Sequence, residues 1–125
     1  MAVGWDGSGD AGVWTSPDGV IWSQVPHDEA VFGGDGDQVM WGVTAGGPGL
    51  VAVGWDESGS DAVVWTSRDG ISWSRVPHDE AVFGRRGDQE MLGVAAGGPG
   101  LVAVGWDNLG GFTDTAVWVA TRKDR

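Results

Sequence analysis

The chain has 125 residues, 41% of them hydrophobic, with a net charge of −11 and a pI near 4.2. That is enough for one small domain with a core, and the acidity disfavours a nucleic-acid backbone as partner, since such binding needs clustered Lys and Arg. Cysteine is absent, which excludes disulfides and Cys-ligated metal; with no long apolar run and no charged-then-apolar leader, neither a membrane span nor a signal peptide is expected.

The chain is about two and a half copies of one repeat. Val13–Asp56 and Val64–Asp107 are identical at 35 of 44 positions, and a third copy of AVGWD stands at Ala2–Asp6. A period near 50 residues points to stacked units. Residues 1–37 make a partial unit, 38–88 a complete one and 89–125 a second partial one.

In chain order, Ala2–Asp6 reads as a second strand, followed by the loop GSGDAG and a third strand around Val13-Trp14. The turn Ser16-Pro17-Asp18-Gly19 leads into Trp22, and a link carries His27-Asp28-Glu29 and Val31-Phe32. The complete unit begins with a strand at Gln38–Ala45 and a turn at Gly46-Gly47-Pro48-Gly49. Leu50–Gly54 is a short apolar run, as expected of a strand buried on both faces. Asp56–Asp61 is a polar loop and Ala62–Ser67 a third strand. Arg68-Asp69-Gly70 is a hairpin turn, and Ile71–Val76 a fourth strand. In the link Pro77–Asp88, His78–Phe83 can make one helical turn. The last unit stops after a third strand, Thr115–Thr121, and ends Arg122-Lys123-Asp124-Arg125 without a DG turn. The expected strand count is three, then four, then three.

Nine Trp and no Tyr is an unusual balance. Eight Trp are matched between copies: Trp5, Trp55 and Trp106 in GWD; Trp14, Trp65 and Trp118 in the third strand; Trp22 and Trp73 after the DG turn. Trp41 stands alone because Leu92 replaces it. Large apolar groups at fixed phase are expected to pack between units, and Val31-Phe32 and Val82-Phe83 to anchor the links.

Ser16–Trp22 and Ser67–Trp73 resemble the Asp-box (BNR-type) hairpin of sialidase-like β-propellers. They depart from it by one residue, because Asp and Gly are adjacent and the Trp comes one position early. The resemblance implies an all-β fold of four-stranded antiparallel propeller blades. It gives Ser16, Asp18, Gly19, Trp22, Ser67, Asp69, Gly70 and Trp73 the role of shaping the turn, which Asp-Gly turn chemistry supports independently. It also implies one ligand-facing edge. That edge would carry Trp5-Asp6 with Asp10, Trp55-Asp56-Glu57 with Asp61, Trp106-Asp107, His27-Asp28-Glu29 and His78-Asp79-Glu80.

Sialidase chemistry, which that resemblance would imply, needs an arginine cluster and a Tyr nucleophile. The chain has no Tyr, and Arg68, Arg75, Arg85 and Arg86 have no match in the first copy. A two-carboxylate glycosidase is chemically conceivable. However, acid and base need different environments, and PHDEAVFG occurs twice unchanged. No enzyme, no catalytic residue, no metal and no cofactor is therefore expected. His27 and His78 are expected to close the links. The DGSGD and DESGSD loops offer oxygen ligands of the Ca²⁺ kind but are expected to be solvated.

A Trp beside an Asp suits sugar stacking, and repetition would add avidity. The low-specificity ligand candidates are thus the GWD pairs at residues 5–6, 55–56 and 106–107 and the HDE strings; the competing role for the GWD Trp residues is wedging between units. Two and a half blades cannot close a ring, and an open array exposes strand edges and apolar faces. The economical partner is another copy of the chain, as a dimer in preference to a trimer; the alternative is a piece of a longer propeller. The expected function is a non-enzymatic, self-assembling binding or interaction scaffold, with a carbohydrate-binding lectin as the alternative and a glycosidase behind both.

Overall fold

The computed structural model describes residues 1–47, 49–84, 87–97, 100–108 and 112–121. Pro48, Arg85, Arg86, Gly98, Pro99 and residues 109–111 and 122–125 lie outside the described residues, as do the side chains of Glu80 and Thr121.

The first sheet has the order β1 (Ala2–Trp5), β2 (Ala11–Thr15), β3 (Ser23–Gln24). A single helical turn, α1 (Glu29–Phe32), leads to the second sheet, ordered β4 (Gln38–Gly46), β5 (Gly49–Asp56), β6 (Asp61–Ser67), β7 (Trp73–Arg75). A matching turn, α2 (Glu80–Phe83), precedes the third sheet, in which β9 (Gly100–Asp107) lies between β8 (Gln89–Gly97) and β10 (Asp114–Thr121). Every pairing is antiparallel. The protein is therefore all-β, with three, four and three described strands in three small sheets.

The sheets stack face to face, because side chains alternate across a strand. In the middle sheet Ala52, Val63, Trp65 and Trp73 join a cluster with Ala11, Val13 and Val25 of the first unit. Their neighbours Val51, Val53, Ala62 and Val64 join a second cluster with Met91, Ala103, Leu101 and Trp118 of the third sheet. The middle sheet is buried on both faces, which accounts for the unbroken apolar run in β5.

Two features lock the second and third sheets. The β4–β5 register skips between Met40 and Gly42, and the β8–β9 register between Met91 and Gly93. These β-bulges leave Trp41 and Leu92 unpaired and turned outward, while Met40 and Met91 stay buried. The strand opposite must then approach closely. A Cβ on Gly54 would land on the Val39 carbonyl oxygen, and one on Gly105 on that of Glu90. Only glycine fits at either position.

The links are anchored from both sides. Trp65 Nε1 donates to the Val31 carbonyl of α1 at 2.7 Å, and Trp118 Nε1 to the Val82 carbonyl of α2 at 2.8 Å. Phe32 is buried in the first cluster and Phe83 packs against the second. Backbone bonds repeat too: Gln38 N donates to Gly9 O at 2.8 Å, and Gln89 N to Ser60 O at 2.9 Å.

Strand limits differ from expectation where side chains compete for backbone groups. The fourth strand is Trp73–Arg75 rather than Ile71–Val76, because Ile71 N and Ser72 N donate to Asp69 Oδ1 and belong to the turn. β5 runs on through Trp55 and Asp56, since Asp56 and Asp61 form its last rung with β6. The loop there shrinks to residues 57–60.

Candidate functional site

Antiparallel order sends the two DG turns to one edge of the stack and the β1–β2 loop, the β5–β6 loop and both links to the other. At the turn edge, Gly19 and Gly70 take φ of 82° and 85°, a left-handed conformation that glycine adopts without strain. Ser16 Oγ accepts from Gly19 N at 2.7 Å, and Ser67 Oγ from Gly70 N at 2.8 Å. Asp18 Oδ1 accepts from Val20 N and Ile21 N, as Asp69 Oδ1 does from Ile71 N and Ser72 N. The indoles close each turn: Trp22 Nε1 donates to Gly19 O at 3.1 Å and Trp73 Nε1 to Gly70 O at 3.0 Å. Backbone donation, first from Ile21 and from Ser72 respectively, holds Asp18 and Asp69 below the usual carboxylate range.

At the loop edge the same architecture appears twice. Asp6, Ser8, Gln24, Val25, Pro26 and His27 line a cleft of about 430 Å³. Their counterparts Asp56, Ser58, Arg75, Val76, Pro77 and His78 line one of about 380 Å³ with Asp61 and Phe83. Each Asp caps its own loop. Asp6 Oδ1 accepts from Ser8 N at 2.9 Å, Ser8 Oγ at 2.6 Å and Asp10 N at 3.2 Å. Asp56 Oδ1 accepts from Ser58 N at 2.9 Å, Ser58 Oγ at 2.7 Å and Gln38 Nε2 at 3.1 Å, while Oδ2 pairs with Arg75. The Ser8 hydroxyl is the main reason Asp6 is held low. For Asp56, burial pushes upward, and the bonds from Ser58, Arg75 and Gln38 together outweigh it, leaving the group low.

His27 Nε2 lies 2.9 Å from Glu29 Oε1 and 3.4 Å from Asp10 Oδ2. Its ring tilts over Phe32 at 6.5 Å. The Glu29 hydrogen bond raises His27 above its ordinary value and lowers Glu29 in return. Burial, and then the charge of Glu29, raises Asp10. Among the described residues, Asp10, His27 and Glu29 form the group able to hold a cation, their ligand atoms lying within 4.8 Å of one another. Glu29 Oε2 also accepts from Gly34 N at 3.1 Å, tying the group to its own link. In the second copy His78 Nε2 stands 3.6 Å from Asp61 Oδ2, with its ring 6.4 Å from Phe83. Asp28 and Asp79 face away from these groups in role: each accepts the Ala two residues on, Ala30 N or Ala81 N, at 3.1 Å and starts a helical turn.

The GWD tryptophans are not equivalent. Trp5 is 52% exposed and meets Trp41, 43% exposed, edge-to-face at 5.9 Å. Trp41 Nε1 donates to Glu90. Trp55 is half-buried at the end of β5, and its Nε1 is shielded from solvent without an acceptor among the described residues. Trp106 and Asp107 end β9, both half-buried. Glu57 reaches across to the link, its Oε1 accepting from Asp37 N at 2.8 Å. Sequence reasoning missed Gln38, Ser58, Arg75 and Glu90. The repeated Gln38 and Gln89, both buried, were the available signal for the first.

No protein-family model, no curated protein and no solved structure matches this chain.

Proposed function

We propose that the chain is a non-catalytic β-propeller module, with the three sheets as blades, that assembles with further copies of itself and serves as a binding or interaction scaffold. The observation that carries this reading is the repeated sheet-on-sheet packing: one sheet face meets the complementary face of the next twice, through the same residues. The hairpins closed by Ser, Asp, Gly and Trp support the likeness to Asp-box blades.

Two features favour a scaffold over an enzyme. The His–carboxylate contact of the first loop edge recurs in the second, as a repeated structural contact does and a single catalytic centre does not. Asp6 and Asp56, the most prominent acids there, are occupied in capping their own loops. Multi-angle light scattering tests the reading: a discrete mass above the 13.0 kDa of one chain is expected. A monomer that still melts cooperatively would contradict it.

A second reading, carbohydrate binding, is favoured by one observation, the exposed Trp5–Trp41 pair. An aromatic surface of that kind stacks on sugar rings, with Glu90 beside it as acceptor. It predicts saturable quenching of Trp fluorescence on a glycan array hit and its loss in Trp5→Ala. A blank array removes it.

A further inference from the structure

The two outer faces of the stack carry the same residues as faces that are covered inside it. Toward the first sheet, the middle sheet presents Ala52, Val63, Trp65 and Trp73, all buried. The repeat places Ala2, Gly12, Trp14 and Trp22 at these positions on the outer face of the first sheet, where Ala2 pairs with Trp14 as Ala52 does with Trp65. Trp73 is 7% exposed, whereas Trp22 is 44% exposed. Trp14 lies over Gly12, whose missing Cβ leaves room for the ring.

The opposite outer face shows the same contrast. Toward the third sheet, the middle sheet presents Val51 and Val53, with Val64 and Thr66 beside them. The third sheet's outer face carries Val102 and Val104, paired with Val119 and Val117. Val53 is 1% exposed, but Val104 is 47% and Val117 59% exposed.

We infer that these two faces bind each other between copies: the Val102/Val104/Val117/Val119 face of one copy seats on the Ala2/Trp14/Trp22 face of the next. This rests on the self-assembling reading above and names the surface through which it acts. The occupant is a second copy because the chain already contains the matching pair of faces twice, packed as first-on-second and second-on-third sheet. None of these positions carries a charge, so docking does not desolvate the acidic groups behind the net charge of −11. Such a contact is heterologous: each copy offers one face of each kind.

The test is to block each face with a carboxylate at an exposed position, Ala2→Asp on one side and Val117→Asp on the other. Each variant alone should drop from the wild-type mass to 13.0 kDa. Mixed in equal amounts they should form a one-to-one pair of about twice that mass, through the one intact face on each. Trp22→Asp serves as a second block of the first face, and a cooperative thermal melt confirms that each variant is folded. If the wild type is oligomeric and both variants keep its mass, or if the mixture stays monomeric, the interface is wrong while self-assembly stands. If the wild type is itself a monomer, both fail.

Discussion

Residues with one name do different work according to which face they occupy. Trp65 is fully buried and hydrogen-bonded to Val31, while its counterpart Trp14 lies on an outer face. Trp65→Ala should therefore cost about 3–5 kcal/mol, read as a lower urea midpoint, and Trp14→Ala distinctly less. Trp65→Phe, which removes the indole N–H and part of the buried ring together, should cost less than Trp65→Ala. Gly54 is constrained by the Val39 carbonyl, so Gly54→Ala should prevent the middle sheet from forming, seen as loss of the cooperative melt. Gly7→Ala, where the added methyl meets nothing, should melt as the wild type does. His27 gives the pH signature. Its folded value is raised, chiefly by Glu29, so its contribution is fully present below the unfolded value of about 6.5 and fades as pH rises through the folded value. The difference in Tm between wild type and His27→Gln should be largest just below pH 6, where His27 is protonated and Glu29 still ionised, and close at alkaline pH. A difference that grows with pH would contradict the Glu29 pairing.

At the scale of elements, the strand sequence was legible because turn chemistry punctuates it. Asp-Gly marks the hairpins and the apolar run marks β5, and both lie where the pattern puts them. The boundaries were less legible where a side chain outcompetes the ladder: Asp69 takes the amides of Ile71 and Ser72, shortening β7 to three residues. Asp69→Ala should therefore lower the urea midpoint without changing the m-value, the sheet itself remaining. The candidate site was less readable still. His27 and Glu29 are neighbours in sequence, but Asp10 joins them only because the β1–β2 loop is bonded to the link through Gly9 and Gln38. The GWD motif looked like three equal sites; burial makes Trp5 open and leaves Trp55 and Trp106 half-covered. A bulge, which no local pattern announced, turns Trp41 out to meet Trp5.

At the scale of the molecule, the repeat has two consequences that belong together. It lets the middle sheet bury both faces, and it leaves the complementary pair of those faces open at the two sides of the stack. Exposed apolar faces on a chain of net charge −11 would be costly unless covered, and the proposed assembly covers each with its complement from another copy. Sedimentation equilibrium across a wide range of protein concentration tests this most directly. Self-assembly through these faces should give an average mass that rises from 13.0 kDa at high dilution to a plateau at an integer multiple of it. A mass that stays at one chain throughout, with the cooperative melt intact, would contradict it.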